Sequence, residues 1–288
     1  MKIVKNLLSL LNSYHVEARF YFDRLHLYID SSTPESKLEW LLNLNQHNKL
    51  LHQELPHYEF LNRKLELFQV RSEDLIDLAD VLKGDCAIQY VEMACDFEAS
   101  KSELIKQLSA FFDKHLVIDL HPSSHKKIFY WKIYRDENNK AKDIHGVLKG
   151  TRYFADAKLK SVFTMYTRDQ AKMNNEKACC HLEWRFSSVG VLKNMGLITL
   201  AQLIGFNHRE FWNNKLDIRE PNLTELGQLI GKSDKTTNRS ANYKRGRRLW
   251  EKTLSLQNFL KMHPTAHNVF TPISTYHKLN TCLQVFIN

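Results

Sequence analysis

The chain has 288 residues, of which 43% are hydrophobic and 25% charged, and its 41 basic and 32 acidic side chains give a net charge of +9. This length suits one large domain or two smaller ones, while few glycines (9) and prolines (6) exclude a collagen-like or low-complexity chain. No apolar run approaches the roughly 20 residues of a membrane span, and the five cysteines include no CxxC pair. With no cleavage site after the first apolar stretch, we expect a cytoplasmic protein with reduced thiols and no membrane partner.

The first hundred residues alternate between predicted strands and predicted helices. Polar and apolar residues alternate with period two over 19–30, where Leu25, Leu27 and Ile29 share one face, and this pattern predicts a half-buried strand. A second strand is expected over 64–70. Helices are expected over 2–13, 35–51 and 72–82.

The middle of the chain predicts a sheet, and its last hundred residues predict helices. Strands are expected over 87–98, 127–135, 161–168 and 178–186, with an amphipathic helix over 100–114. Because polar, hairpin-length connections join the later strands, residues 1–190 should form an antiparallel or mixed sheet with helices on one face. The sequence thus predicts an α+β fold with two domains, a sheet-based domain at 1–192 and an all-helical region at 193–288.

Three predicted strands carry polar side chains on one face of this sheet, because successive side chains alternate across a strand. The rows are Asp96 and Glu98, then Thr164, Tyr166 and Arg168, then His181, Glu183 and Arg185. Carboxylates and imidazole can hold Mg²⁺ or Mn²⁺, arginines can neutralise phosphate oxygens, and a tyrosine hydroxyl can be a nucleophile. This inventory favours metal-assisted phosphoryl transfer. The alternative is a solvated face on which acids and bases pair across strands.

The same residues belong to a longer pattern. It runs Thr151-Arg-Tyr-Phe-Ala155, then Ser161 to Lys172 around Tyr166, then His181-Leu-Glu183-Trp-Arg185, after an earlier strand that ends in 95–98. This pattern resembles the plasmid and filamentous-phage family of rolling-circle replication initiators. The sequence departs from that family at Ala155, where the family has glycine, at Arg168, which replaces a lysine, and at His181, which replaces an arginine.

The resemblance implies a reaction and a set of roles. Tyr166 would attack a DNA phosphodiester and leave a 5′-phosphotyrosine and a free 3′-hydroxyl, with Arg168 and Arg185 beside it. The implied metal ligands are Asp96 and Glu183, with Glu98 and His181 as further candidates, and the implied ion is Mg²⁺ or Mn²⁺. The implied partners are a double-stranded DNA origin, single-stranded DNA and a host helicase.

Basic charge is concentrated after residue 100. Residues 1–100 carry 10 basic and 16 acidic side chains (−6), whereas 101–288 carry 31 and 16 (+15), which together give the net +9. Apolar spacing from Leu223, a glycine at Gly231 and polar capping residues after it indicate a helix-turn-helix near 222–245. The expected DNA-binding residues are Lys232, Lys235, Thr236, Asn238, Arg239, Lys244, Arg245, Arg247 and Arg248. The alternative is a pair of amphipathic helices with a solvated basic face.

Two hypotheses about function follow from the sequence. In the first, the chain is a plasmid or phage replication initiator that binds an origin and nicks one strand through Tyr166. In the second, the sheet is a scaffold, and the chain is a non-catalytic DNA-binding initiator or transcriptional regulator that uses the helix-turn-helix. The two differ in whether the polar face of the sheet is catalytic.

Overall fold

An eight-stranded antiparallel sheet forms the centre of the computed structural model, which describes residues 16–53, 60–82, 86–117, 130–131, 152–156, 161–215, 217–230, 239–253 and 256–272. In chain order the strands are β1 (Glu17–Ile29), β2 (Lys49–His52), β3 (Arg63–Val70), β4 (Cys86–Ala99), β5 (Leu116–Val117), β6 (Tyr130–Trp131), β7 (Arg152–Asp156), β8 (Ser161–Arg168), β9 (Ala178–Phe186), β10 (Asp217–Pro221) and β11 (Phe270–Pro272). The order across the large sheet is β2-β3-β1-β4-β9-β8-β7-β6, and β5, β10 and β11 form a separate three-stranded sheet.

Helices pack against the apolar face of the large sheet. In chain order they are α1 (Glu39–Leu44), α2 (Ser72–Leu82), α3 (Ser102–His115), α4 (Val189–Asn194), α5 (Leu200–Ile204), α6 (His208–Lys215), α7 (Leu223–Ile230), α8 (Arg239–Lys252) and α9 (Leu256–Met262), with 3-10 turns at Glu35–Lys37 and Pro264–Val269. Apolar side chains of α1 to α6 share one buried cluster with inward rows of the strands, such as Leu25, Met93 and Leu182. The α+β class predicted from the sequence is confirmed.

Strand register brings the predicted polar rows together. His181 on β9 pairs with Asp96 on β4 and with Tyr166 on β8, so these three residues are direct neighbours across the sheet. Glu183 is likewise opposite Thr164. The alternation that buries Leu182 and its neighbours against the helices therefore gathers the polar residues on the other face.

The central strand β1 departs from regular alternation at Asp23. Phe22 and Leu25 both lie in the core although they are three residues apart, and the pairing of β1 with β4 shifts register between Phe22 and Arg24. Asp23 is thus the extra residue of a β-bulge, which turns it to the polar face. On β3 the residue opposite Asp23 is Gln69, whose φ of 54° is left-handed. The neighbouring strands β1 and β3 are therefore both irregular at this position.

Two predicted segments differ from the structure. The helix expected over 35–51 is instead a 3-10 turn, the short α1 and the strand β2, because Asn45 leaves the helix in an extended conformation and the Asn48 side chain accepts from the Phe68 backbone of β3. The region after residue 192, expected to be all-helical, also contains β10 and β11, which pair with each other. The helix expected over 2–13 lies outside the described residues, as does most of the strand expected over 127–135.

A second buried cluster lies near the end of the chain. It joins Val117 of β5 to Leu226 of α7, Trp250 of α8 and Phe259 of α9. The predicted domain boundary at residue 192 stays a prediction, and α4 to α6 pack with the sheet while α7 to α9 form the second cluster. Within the described ranges, no helix combines the length and apolar character needed to cross a membrane.

Helices α7 and α8 touch through their backbones at two glycines. A Cβ atom added at Gly227 would lie 1.9 Å from the carbonyl oxygen of Asn242, and one added at Gly246 would lie 1.9 Å from that of Leu223. Leu223 thus meets Gly246 while Gly227 meets Asn242, so the two helices run antiparallel where they touch. Any larger residue at either glycine must push the helices apart.

We expect Gly227→Ala and Gly246→Ala each to lower the free energy of unfolding by about 2 kcal/mol or more, because an added methyl group overpacks a backbone contact. Urea unfolding followed by circular dichroism measures the change. Gly190→Ala is the matched control, since the nearest atom to its added Cβ is 3.8 Å away and alanine favours a helix. Equal stability of all three variants would show that α7 and α8 do not pack this closely.

Candidate functional site

Three buried ionisable side chains meet on the polar face of the sheet. Asp23 on β1 and His181 and Glu183 on β9 each offer one ligand atom, and these atoms lie within 4.8 Å of one another. His181 Nε2 is 3.1 Å from Glu183 Oε2 and 4.0 Å from Asp23 Oδ2. We call these three residues the carboxylate–histidine cluster.

Asp96 holds the other side of the His181 ring. His181 Nδ1 is 2.5 Å from Asp96 Oδ1, and the Tyr21 hydroxyl donates to the second Asp96 oxygen at 2.9 Å. Burial alone would lower the pKa of His181, but the neighbouring Asp96 and Glu183 raise it to about 9. At neutral pH His181 is therefore an imidazolium that donates to a carboxylate on each side.

Lys172 reaches the cluster from the loop between β8 and β9. Its ammonium group hydrogen-bonds Asp23 and lies 3.8 Å from Glu183 Oε2. Burial alone would lower the pKa of Lys172, but Asp23, Tyr166 and Glu183 raise it. Lys172 therefore stays charged in a largely buried position and neutralises part of the cluster.

Tyr166 presents its hydroxyl to the same cluster. Its ring centroid is 4.6 Å from that of His181, and its hydroxyl lies within the electrostatic influence of the Lys172 ammonium group. Burial and the carboxylates of Glu183 and Asp23 raise the pKa of Tyr166 to about 12, although Lys172 opposes them. Tyr166 is half-buried on the polar face, whereas its neighbours in β8 on the opposite face are in the core. A ligand that approaches this face can reach it.

Arg185 binds Oε1 of Glu183, the carboxylate oxygen that does not contact His181. Its Nε hydrogen-bonds Glu183 and lies 3.4 Å from Oε1 of the buried Glu92. Burial alone would raise the pKa of Glu183, but hydrogen bonds from His181 and Arg185 lower it. Glu183 is therefore ionised and held from two sides.

Other residues of the predicted site lie apart from the cluster. The Glu98 carboxylate accepts from Arg19 at 2.8 Å, and Arg168 lies at the exposed end of β8, where its Nε donates to the Gln170 carbonyl at 3.2 Å. Of the four predicted metal ligands, the structure gathers His181 and Glu183 at one point, places Asp96 behind His181 and leaves Glu98 outside.

The sequence interpretation missed Asp23 and Lys172. Strict alternation from Leu25 assigns Asp23 to the core face, and only the bulge in β1 moves it to the polar face. Lys172 follows β8 in a loop, so strand periodicity says nothing about it. A signal was present for Lys172, because the resembled family has a lysine soon after its tyrosine and this chain has Lys172 a few residues later.

The cluster fits a divalent cation by two criteria. Two carboxylates and an imidazole are ligands that suit Mn²⁺ or Mg²⁺. In addition, Oδ1 of Asp23 is buried without a hydrogen-bond partner within the described residues, and so is Oγ1 of Thr164, which lies across from Glu183. Ligation by His181 Nε2 requires loss of its proton, so metal and proton compete for this atom.

The basic helix α8 has one buried side and one exposed side. Asn242, Gly246 and Trp250 are buried at four-residue intervals against α7 and the second cluster. The exposed basic residues of α8 are Arg239, Lys244, Arg247, Arg248 and Lys252, while Arg245 is half-buried. The predicted DNA contacts Lys232, Lys235, Thr236 and Asn238 lie outside the described residues, so the predicted turn and recognition residues stay predictions.

Comparisons with known proteins find little that is similar to this chain. No family model matches the chain, and no curated protein matches it. A solved structure described as "Structure of Rolling Circle Replication Initiator Protein from Geobacillus stearothermophilus" matches with 11% identity, over 82% of this chain and 97% of that chain, with a TM-score of 0.37.

We expect Mn²⁺ to raise the unfolding midpoint of the chain, because an ion that binds only the folded state stabilises it, by about 2.7 kcal/mol at a hundred times the dissociation constant. Asp23→Asn should abolish the shift, measured against its own midpoint without metal. Glu98→Gln should retain it, since Glu98 is paired with Arg19 away from the cluster. The reverse pattern would favour the ligand set predicted from the sequence, and calorimetric titration would give the stoichiometry.

Proposed function

We propose that this chain is a DNA replication initiator that breaks one strand of its origin by transesterification at Tyr166. The observation that carries the proposal is the convergence of a reachable tyrosine hydroxyl, a lysine and the carboxylate–histidine cluster on one face of the sheet. A solvated face with incidental charge pairs would not need to bury three ionisable groups beside one tyrosine. The motif resemblance supports the same reaction.

The side chains around Tyr166 would act on a phosphodiester in a defined order. The Tyr166 oxygen attacks phosphorus, the bond from phosphorus to the 3′-oxygen breaks, and the 3′-oxygen takes up a proton as the tyrosine loses its own. Lys172, whose positive charge acts on the hydroxyl, would stabilise the negative charge that develops on the phenolic oxygen. Arg185, partly exposed beside Glu183, would neutralise a phosphate oxygen.

Asp23, His181 and Glu183 are the residues that would hold a divalent ion. When bound, Mg²⁺ or Mn²⁺ would polarise the scissile phosphate and stabilise the charge that develops on it. Asp96 would act behind His181, because a carboxylate at Nδ1 fixes the orientation of the ring and directs Nε2 to the cluster.

A second function is favoured by one specific feature of the same cluster. Both of its carboxylates already have protein cations as partners, Asp23 through Lys172 and Glu183 through Arg185 and His181. A cluster whose carboxylates are neutralised by the protein's own cations can be a purely structural element in a non-catalytic DNA-binding initiator or regulator. Strand cleavage distinguishes the two functions.

We expect the chain to convert a supercoiled plasmid that carries the DNA around its own gene into nicked circles in the presence of Mg²⁺ or Mn²⁺. Tyr166→Phe should abolish nicking and the covalent protein–DNA adduct, because it removes only the attacking oxygen, and should leave DNA affinity nearly unchanged. Tyr28→Phe, which alters a buried tyrosine of β1, is the control and should nick normally. An adduct that persists in Tyr166→Phe would exclude Tyr166 as nucleophile.

Duplex DNA binding is proposed for the exposed side of α8. Lys244 and Arg248 are one helical turn apart and point away from the buried row of Asn242, Gly246 and Trp250. Arg247 is exposed beside them but forms an ion pair with Glu251 at 2.7 Å. Lys244 and Arg248 are therefore two neighbouring cations that this helix can offer to phosphates.

We expect Lys244→Gln and Arg248→Gln each to weaken binding to all duplex sequences and to reduce the slope of log K against log salt by about one, because each removes one phosphate contact. Fluorescence anisotropy over a range of salt concentrations measures both quantities. Lys106→Gln, on the exposed side of α3, is the matched control and should change neither. Slopes equal to that of the unmodified chain would exclude α8 from the interface.

A further inference from the structure

A pocket of about 210 Å³ lies at the edge of the polar face, between the end of α1, the end of β3, the start of α2 and the loop after β8. The residues that line it include the apolar Leu44, Phe68 and Met173 and two residues with carboxamide side chains, Asn45 and Gln69. The volume is several times that of a water molecule, roughly 30 Å³, and below the roughly 300–1,000 Å³ of pockets for drug-sized ligands. It suits a single flat ring system.

Chain connections place this pocket next to the carboxylate–histidine cluster. Met173 directly follows Lys172, which hydrogen-bonds Asp23. Gln69 is opposite Asp23 on the neighbouring strand, and Phe68 is opposite Arg24. The Arg24 guanidinium stacks on the Phe68 ring, 4.7 Å from its centroid, so a partly exposed cation stands between the pocket and the cluster.

The backbone at Gln69 is strained in a way that shapes the pocket. Its φ of 54° is a conformation that glycine or asparagine adopts easily and that is strained for a residue such as glutamine. Strain of this kind persists where the surrounding structure fixes it, and such residues cluster at ligand sites. Here the turn of the backbone brings the Gln69 carboxamide to the pocket wall.

Hydrogen bonds fix which end of the Gln69 carboxamide is available. The His47 backbone N–H donates to Asn45 Oδ1 at 3.0 Å, so the Asn45 amide nitrogen points to Gln69, to whose Oε1 it donates at 2.8 Å. The Gln69 amide nitrogen has no hydrogen-bond partner within the described part of the chain, so its hydrogens remain free. The pocket therefore offers donors, and a ligand that fills it should carry acceptor atoms at its edge.

We propose that this pocket binds one unstacked base of the DNA strand that Tyr166 would cut, and that this base has a keto oxygen at position 4 or 6 of its ring, as thymine and guanine do. The inference rests on the proposed function for its placement of the strand. Unpaired bases are recognised by apolar or aromatic walls and by hydrogen bonds to their edges, and the pocket supplies both. Arg24 would contact the phosphate between the base and the scissile position.

The test compares binding of dT12 and dC12, because thymine and cytosine stack alike but carry an acceptor and a donor respectively at position 4. Affinities are measured by fluorescence anisotropy in the Tyr166→Phe background, so that no strand is cut. We expect a preference for dT12 of about fivefold or more. Gln69→Glu, which replaces the donors by acceptors, should reduce or reverse the ratio, and Leu44→Trp, which fills the pocket, should bring it close to one.

Val189→Trp is the matched control, because it replaces an equally exposed apolar residue outside the pocket and should retain the preference. Melting temperatures show which variants are folded. Equal affinity for dT12 and dC12, no binding of either, or a ratio unchanged in Gln69→Glu would overturn the pocket proposal and leave the nicking result untouched. A ratio that responds to Gln69→Glu in a chain that never nicks plasmid would support the pocket and refute strand cleavage instead.

Discussion

Ionised groups buried in the middle of a sheet must be paired, because an isolated charge removed from water costs several kcal/mol. Asp23, Asp96, His181 and Glu183 are all almost fully buried, and each has at least one oppositely charged partner within hydrogen-bond distance. This requirement explains why His181 is held as an imidazolium and why Lys172 is drawn in from a loop. The positions of Tyr166 and Arg185 follow, since both pack against groups that the pairing has already fixed.

The same pairing gives the polar face two possible roles. With protein cations alone the network is complete, and the sheet can be a rigid scaffold for the helices that follow it. If a divalent ion enters, it must compete with Lys172 and with the proton on His181 for the same oxygen and nitrogen atoms. Such a site binds metal more weakly than an open set of carboxylates would, and its occupancy depends on pH and on whatever phosphate arrives with the ion.

Much of the sheet could be predicted from the sequence, because apolar and polar residues alternate regularly over 87–98, 161–168 and 178–186. That alternation placed Asp96, Tyr166 and His181 in polar rows, but the strand order and register that make them direct neighbours are seen only in the structure. Asp23 could not be predicted, since a bulge changes the face of every residue beyond it and leaves no mark in hydrophobic periodicity. The segment 35–51 was misassigned as a single helix for a related reason. Its leucines have helical spacing, but asparagine side chains that bond to the backbone compete with the helix.

The close backbone contact of α7 and α8 at Gly227 and Gly246 divides the surface of α8 into two sides that tolerate substitution differently. On the contact side, no residue larger than glycine fits without moving a helix, so mutations there are removed by selection for folding. On the opposite side, Lys244 and Arg248 are exposed, and neither side chain forms a hydrogen bond or ion pair with another residue of the described ranges. A helix built in this way can change the charge of its exposed side by substitution while the packing of its buried side stays constant. The charge of this surface can therefore change in small steps without a loss of stability.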